Sequence, residues 1–262
     1  MKSFLFALAL SSLTVSYVSA TDIKTETIDQ QKTIDQQKTI EQQETLNIIT
    51  TPSPLPNTLP TNIIMVIGDG MGPAYTSAYR YFSDNPKTQQ IEETIFDRYL
   101  MGLSSTYPDP VSGIVTDSAA SATALASGVK TYNGAIGVDV NKQPVQTVLE
   151  WAKLQGKKTG IVVTSQINHA TPAAYLVHNE SRQNYNAIAD SYIDDGIKAD
   201  LYFGGGWQYF IREDRNLVNE FKQAGFYYID NYQSLASLPS NKPVLGLFAD
   251  TGLPWALDDS NK

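Results

Sequence analysis

Short apolar runs alternate with helical patterns along residues 61–262, and this alternation restricts the possible folds more than any other feature of the sequence. The apolar runs cover residues 63–67, 160–163, 201–203 and 244–248. The helical patterns cover residues 73–82, 118–127, 145–156 and 217–223. Alternating strands and helices predict an α/β fold, with a mostly parallel central sheet flanked by helices on both faces. Ligands bind at the carboxyl ends of strands in such folds, so we expect the functional residues just after strands.

The first 60 residues have a different character. Residues 1–20 combine an early positive charge, an apolar stretch and a Val-Ser-Ala end, which is typical of a cleaved signal peptide. A membrane anchor is the alternative, but the apolar run is shorter than the roughly 20 residues of a spanning helix. A six-residue repeat and four prolines then occupy residues 21–60, which we interpret as a low-complexity polar tether.

The charge balance and the absence of cysteine exclude several classes of protein. The chain has 19 basic and 27 acidic residues and a formal net charge of -8, which argues against a nucleic-acid scaffold. Because there is no cysteine, disulfides and thiolate metal ligands are both excluded. No later segment is apolar for long enough to span a membrane. We therefore expect a secreted protein, periplasmic or extracellular.

A carboxylate flanked by glycines follows the first apolar run, in Gly68-Asp69-Gly70-Met71-Gly72. If residues 63–67 form a strand, Asp69 lies at its carboxyl end, where a carboxylate can bind a hard cation or Zn²⁺. An ordinary Asp-Gly turn is the alternative reading of this motif.

A serine stands at the start of a small-residue helical pattern, in Thr116-Asp117-Ser118-Ala119, and Gly128 closes that pattern. Asp117 or Ser118 could simply be the N-cap of the helix. A helix N-terminus also offers free amide donors and a positive dipole end, which favour phosphate binding. A serine nucleophile needs a base or a metal to activate it. The chain has only two histidines and no G-x-S-x-G elbow around Ser118, so metal activation fits better than a catalytic triad.

Several blocks of the sequence, in order, resemble the alkaline phosphatase family. They are residues 68–72, 116–124 and 128–134, followed by residues 169–174 and Ser181-Arg182. The resemblance covers most of residues 62–250. It implies hydrolysis of phosphate monoesters through a phosphoserine intermediate, with two zinc ions and one magnesium ion as cofactors. A homodimer is suggested by the resemblance alone.

The resemblance implies a substrate-binding and catalytic role for three residues. Ser118 would be the residue that becomes phosphorylated. Arg182 would hold the phosphate, since its planar fork suits two phosphate oxygens, and Asp117 would pair with the guanidinium and keep its orientation.

The resemblance also implies metal ligands. Asp69 would bridge one zinc and the magnesium, and Ser118 would face zinc. Thr171 would contribute its hydroxyl oxygen to the magnesium shell, because magnesium prefers oxygen ligands. His169 stands where some family members carry aspartate, so we expect this third metal site to bind magnesium more weakly or to tolerate zinc better than the aspartate form.

Most of the zinc ligands that the resemblance implies are not found in this sequence. Two histidines, one of them assigned to the magnesium side, cannot supply the three that the zinc sites share in the family. We therefore expect residues 61–262 to be the N-terminal part of the catalytic domain, incomplete at the C-terminus, with little or no turnover on their own. A phosphodiesterase or sulfatase of the same architecture, or a non-catalytic phosphate- or metal-binding remnant, are the alternatives. For Lys130 we expect a loop anchor, and for His178 a surface or hydrogen-bonded histidine.

Overall fold

The structure is a computed structural model that describes Gln36 and residues 60–257. The chain divides into two compact units, Met1–Val66 and Ile67–Lys262. The predicted signal peptide and almost all of the predicted tether lie outside the described residues, so both stay predictions. None of the described helices has the length and apolar character that a membrane crossing requires.

Four parallel strands form the sheet of the larger unit. They are β1 (Gly160–Gln166), β2 (Leu201–Gly205), β3 (Tyr227–Ile229) and β4 (Val244–Leu247). Their order in the sheet is β1-β2-β4-β3, with Leu201 paired to Gly160 on one side and to Val244 on the other. All four residues of β4 are buried, as expected of an inner strand of a covered parallel sheet. The predicted α/β fold with a parallel sheet flanked by helices is confirmed.

Within the described residues there are eight α-helices and two short 3-10 helices. The α-helices are α1 (Pro73–Ser83), α2 (Ile95–Arg98), α3 (Ser118–Ser127), α4 (Val148–Leu154), α5 (Ala170–Ala173), α6 (Tyr185–Asp194), α7 (Trp207–Phe210) and α8 (Leu217–Gln223). The 3-10 helices are Pro110–Ser112 and Tyr232–Ser237. The helices predicted at residues 73–82, 118–127 and 217–223 are confirmed to within one residue.

Helix α4 begins later than its apolar spacing predicts. The Thr147 side chain accepts a hydrogen bond from Glu150 N, while the Glu150 side chain accepts one from Thr147 N. This capping box satisfies free amides of the first turn and starts the helix at Val148. Val145, which the pattern placed in the helix, instead donates its N–H to Gly137 O at 2.9 Å.

The predicted strand at residues 63–67 is wrong. These residues are not part of the sheet formed by β1–β4. Ile63, Ile64 and Val66 are 84%, 88% and 89% exposed, which is the opposite of the burial that their apolar character predicts. A strand is defined by its ladder of backbone hydrogen bonds, so an apolar run becomes one only where a neighbouring strand pairs with it.

An aromatic cluster joins α6 and α8 to β2. Its members are Tyr192, Tyr202, Phe210, Phe221 and Phe226. Six pairs of these rings have centroids 5.0–6.4 Å apart, three in edge and three in tilted arrangements. The cluster fixes the helices against the sheet.

Candidate active site

A turn that ends at His169 follows directly after β1, and Thr171 lies in the short helix α5 that begins there. Ile167 N donates to Gly205 O at 3.0 Å, which ties the turn to the end of β2. The hydroxyl of Tyr192, from α6, donates to Ile167 O at 2.5 Å. His169 is the N-cap residue of α5, so these bonds hold its backbone at the carboxyl edge of the sheet, where α/β folds bind ligands.

Ser118 is the first residue of α3, and Asp117 is its N-cap. Asp117 Oδ1 accepts a hydrogen bond from Ala120 N at 2.9 Å. The helix packs closely because its inner positions are small, and the buried alanines are Ala119, Ala120, Ala122 and Ala126. Gly128 ends the helix with φ 77, a left-handed conformation that glycine adopts without steric cost. Ser118 is therefore presented at the positive end of a helix.

Arg182 contacts three of the residues that the sequence singled out. Its NH1 donates to Ser118 Oγ at 2.8 Å and to Asp117 Oδ2 at 3.1 Å. Its NH2 lies 3.2 Å from His169 Nε2. The side chains of Arg182 and Asp117 are 19% and 26% exposed. Asp117 thus caps α3 with one carboxylate oxygen and holds the guanidinium with the other. The structure therefore shows both the N-cap and the Arg182 partner that the sequence suggested for this residue.

His169 faces Arg182 as a neutral acceptor. A guanidinium can only donate, so His169 Nε2 accepts, and the proton of the neutral ring lies on Nδ1. Burial lowers the pKa of His169 and the charge of Arg182 lowers it further, against the opposing effect of Asp69. Burial and the charge of Arg182 thus both favour the uncharged imidazole.

Asp69 lies in a turn rather than at the end of a strand. Met71 N donates to Gly68 O at 3.1 Å, and Gly70 has φ 67, so the alternative of an Asp-Gly turn is observed. Asp69 nevertheless meets a second predicted ligand, because its Oδ2 accepts from Thr171 Oγ1 at 3.0 Å across 102 residues of sequence.

The Asp69–Thr171 pair brings together two oxygens at a separation that an octahedral magnesium shell could accommodate. Ligands at about 2.1 Å from an octahedral ion are about 3.0 Å apart along one edge. The two oxygens are separated by 3.0 Å, and both are hard donors of the kind that magnesium binds.

Comparison with known proteins identifies the family. A family model described as alkaline phosphatase matches residues 60–262. The chain belongs to the alkaline phosphatase family. Alkaline phosphatase 4 of Bacillus subtilis (strain 168) is 55% identical over 206 residues, which cover 77% of this chain and 44% of that relative.

Two solved alkaline phosphatases share the fold. The cold-active enzyme of the psychrophile Shewanella sp. matches with 57% identity and a TM-score of 0.69, over 74% of this chain and 47% of that one. A mutant of the TAB5 enzyme, from an Antarctic bacterium, matches with 36% identity and a TM-score of 0.54, over 58% of this chain and 44% of that one. That mutant carries aspartate in place of a histidine and has magnesium bound in its M3 site. The present chain spans about half the length of the relatives it matches.

The zinc sites of an alkaline phosphatase, as the resemblance implies them, are not formed by the residues that the structure describes. Among Gln36 and residues 60–257, no three side chains of His, Cys, Asp or Glu converge as a metal site. Asp69 and Ser118 are the two implied zinc ligands that this part of the chain contains.

His178 is hydrogen-bonded through both ring nitrogens, which agrees with the hydrogen-bonded alternative for this residue. Its Nδ1 lies 2.6 Å from Gly137 O, and its Nε2 lies 3.0 Å from Glu150 Oε1, which Lys198 Nζ also contacts at 2.7 Å. Burial lowers the pKa of His178, but its hydrogen bonds to Glu150 and Gly137 outweigh burial and raise it. The group anchors the segment that leads to Arg182.

Lys130 anchors a loop, as the sequence predicts. Its Nζ donates to Tyr107 O at 2.5 Å and to Ser105 O at 3.3 Å. The ammonium group also lies 4.2 Å from the centroid of the Tyr107 ring. These contacts attach the loop at Tyr107 to the chain just beyond α3.

Proposed function

We propose that the complete gene product hydrolyses phosphate monoesters, with Ser118 as the nucleophile that becomes phosphorylated. The observation that carries this proposal is the 2.8 Å hydrogen bond from Arg182 to Ser118 Oγ at the N-terminus of α3. A hydroxyl, a planar cation and a positive helix end meet at one point, which suits a dianionic phosphoryl group. Membership of the alkaline phosphatase family supports the same reaction.

Arg182 would hold the phosphoryl group throughout the reaction. Its NH1 is held by Asp117 Oδ2 and its NH2 faces His169 Nε2, so the guanidinium is oriented from two sides before substrate binds. A donor that is already oriented stabilises developing charge without reorganising at the moment of reaction. Neutral His169 adds no positive charge of its own, which leaves the guanidinium as the cationic side chain of the pair.

The proposed reaction has two displacements. In the first, Ser118 Oγ gives its proton to solvent water and forms a bond to phosphorus while the bond from phosphorus to the ester oxygen breaks, and the leaving alkoxide takes up a proton from water. In the second, water attacks the phosphoserine, the Oγ–phosphorus bond breaks, and inorganic phosphate and the serine hydroxyl are released. The cation beside Ser118 Oγ favours the alkoxide form that attacks.

We propose that Asp69 and Thr171 hold magnesium. The oxygen chemistry of the two side chains and membership of the alkaline phosphatase family support this assignment, and the bound ion would supply charge stabilisation next to the phosphate. The resemblance implies two zinc ions as well, but the described residues form neither zinc site, so no step of the reaction is assigned to zinc. Secretion, supported by residues 1–20, and a homodimer, supported by the family alone, are part of the same proposal.

Turnover of three ester classes tests the proposed function. We expect the complete gene product to hydrolyse p-nitrophenyl phosphate with kcat/KM about 100-fold or more above that for bis-p-nitrophenyl phosphate and p-nitrophenyl sulfate. Residues 21–262 alone are expected to show little or no turnover, because the residues among them that the structure describes do not form the zinc sites. A preference for the diester or the sulfate would instead support a phosphodiesterase or a sulfatase, and rapid monoester hydrolysis by residues 21–262 would contradict the second expectation.

His169→Asp is expected to strengthen magnesium binding in the complete gene product. Aspartate adds a hard anionic oxygen where imidazole offers nitrogen, and the TAB5 mutant with a histidine-to-aspartate replacement has magnesium in its M3 site. We expect the Mg²⁺ concentration for half-saturation to fall by about tenfold. Titration calorimetry measures this directly, beside activity. Thr171→Val, which keeps the volume but removes an oxygen, should shift the titration the other way, and identical titrations of wild type and His169→Asp would refute the assignment.

A further inference from the structure

The adjacent residues Asn133 and Gly134 accept hydrogen bonds from the backbone amides of Asp117 and Arg182. Asn133 Oδ1 accepts a hydrogen bond from Asp117 N at 3.0 Å. Gly134 O accepts one from Arg182 N at 2.8 Å. One dipeptide, outside both segments, therefore sets the distance between the start of α3 and the segment of Arg182.

The Asn133 amide fits its surroundings in a single orientation. Its Oδ1 faces the N–H of Asp117, while its Nδ2 donates to Val115 O at 2.9 Å. Asn133 N in turn donates to Ser112 Oγ at 2.9 Å. The side chain thus bridges the backbone on either side of Thr116 and holds the entry to α3 in an extended path.

These hydrogen bonds close a ring of contacts that contains Asp117 and Arg182, the two residues next to Ser118. From Asn133 the ring runs through the Asp117 amide to its carboxylate, which accepts from Arg182 NH1 at 3.1 Å. It returns through Arg182 N to Gly134 O at 2.8 Å and so to Asn133. Ser118 follows Asp117 directly and receives the other hydrogen bond of NH1. Removing the Asn133 side chain would break this ring and allow the start of α3, with Ser118, to move relative to Arg182.

Residues 135–137 of the same loop also bond to α3 on one side and to the segment before Arg182 on the other. Thr123, in α3, donates from its Oγ1 to Ala135 O at 3.0 Å and accepts from Gly137 N at 3.0 Å. On the opposite side, Ile136 and Asn179 exchange backbone hydrogen bonds of 2.9 and 2.8 Å. Residues 133–137 are therefore fastened to α3 and to the segment of Arg182 alternately along their length.

We propose that Asn133 is a positioning residue, which aligns Ser118 with Arg182 through the backbone of Asp117. The inference rests on the proposed function. The side chain of Asn133 bonds to backbone atoms of Asp117 and Val115, while Ser118 Oγ is bonded by Arg182, so the effect of Asn133 on the reaction passes through the placement of Ser118 and Arg182. Displacement of reacting groups by about 1 Å lowers rates by up to about 100-fold, which sets the scale of the effect.

A double-mutant cycle in the complete gene product tests this role. We expect Asn133→Ala to lower kcat/KM for p-nitrophenyl phosphate by about 10- to 100-fold and to weaken inhibition by inorganic phosphate. In an Arg182→Ala background, Asn133→Ala should lower kcat/KM by about twofold or less, since the guanidinium with which Ser118 is aligned is already absent. A purely structural role would give the same loss in both backgrounds.

Asn216→Ala is the matched control. Asn216 caps α8, and its Oδ1 accepts from Asn219 N at 3.0 Å. Asn216→Ala therefore deletes the same side-chain atoms, and a hydrogen bond from a backbone N–H to an asparagine Oδ1, at a helix start away from Ser118 and Arg182. We expect Asn216→Ala to lower the unfolding temperature slightly, as Asn133→Ala does, and to leave kcat/KM unchanged. If Asn133→Ala does not fold, Asn133→Ser enters the same cycle and is judged by the same criterion.

The possible outcomes separate the two proposals. Equal losses with and without Arg182, or an equal loss in Asn216→Ala, would overturn the positioning role while leaving the phosphatase assignment intact. An inactive wild-type gene product, with zinc and magnesium supplied, would overturn the proposed function itself. From the geometry we expect the effects of Asn133→Ala and Arg182→Ala on kcat/KM to be coupled, and we expect Asn216→Ala to leave kcat/KM unchanged.

Discussion

Replacing Ser118 with alanine in the complete gene product is expected to lower kcat/KM for phosphate monoesters by at least about 1000-fold. Arg182 and the N-terminus of α3 remain in the variant, so it should still bind phosphate, but no oxygen is left to form the covalent intermediate. Steady-state kinetics with p-nitrophenyl phosphate, together with inhibition by inorganic phosphate, separate the loss of chemistry from a loss of binding.

Trapping the intermediate identifies the nucleophile directly. After incubation with a ³²P-labelled monoester and quenching in acid, we expect label on the peptide that contains Ser118 and none in Ser118→Ala. Ser127→Ala is the control, because Ser127 lies in the same helix and donates to Thr123 O at 2.7 Å, away from Arg182. Label that persists in Ser118→Ala would show that another group is phosphorylated, and full activity of that variant would refute the proposed mechanism.

The elements that the sequence predicts correctly are those whose signals are local. Helix α3 has a cap at Asp117, a run of alanines and a closing glycine, all within twelve consecutive residues. Strands β2 and β4 are short apolar runs between turns, and both lie in the sheet. In each case the residues that decide the structure are neighbours in the chain, so a pattern of residue types is sufficient.

The errors arise where a second segment decides the outcome. Residues 63–67 have the composition of a strand, but the composition cannot specify which strand pairs with them. Helix α6 was not predicted, because polar residues interrupt its apolar spacing and its inner face is recognised only from burial of Ile188, Ala189 and Tyr192. Packing against the aromatic cluster, rather than the local pattern, makes this segment a helix.

In the candidate site, too, the sequence predicts what depends on neighbouring residues and misses what depends on distant segments. Asp117 and Ser118 could be placed from a helix signal, but Arg182 is 64 residues from Ser118 in the sequence and joined it only through the family resemblance. Asn133 was part of a matched block, yet the sequence assigned it no role. Its hydrogen bonds reach other loops, and side-chain to backbone contacts between distant segments leave no periodic signal in a sequence.

The largest effect on stability is expected at Gly205, the last residue of β2. A Cβ atom on Gly205 would lie 1.4 Å from the carbonyl oxygen of Thr251, a distance that backbone atoms cannot tolerate. The segment that contains Thr251 is fixed at its two ends, where Gly206 N donates to Ala249 O at 2.8 Å and Leu253 N donates to Thr164 O at 2.7 Å. Alanine at this position therefore has to displace main chain rather than a flexible side chain.

We expect Gly205→Ala to lower the free energy of unfolding of the complete gene product by about 3 kcal/mol or more, because overpacking against a fixed backbone is among the costly substitutions. Urea denaturation measures the change. Gly102→Ala is the matched control, since a Cβ there meets no atom within 4 Å, and it should leave the free energy of unfolding within about 0.5 kcal/mol of the wild-type value or raise it slightly. Ile167 N donates to Gly205 O at 3.0 Å, so a displaced β2 also moves the turn of His169, and Gly205→Ala should weaken magnesium binding as well. Equal denaturation midpoints for the two variants would mean that the chain beyond β4 does not pack on Gly205.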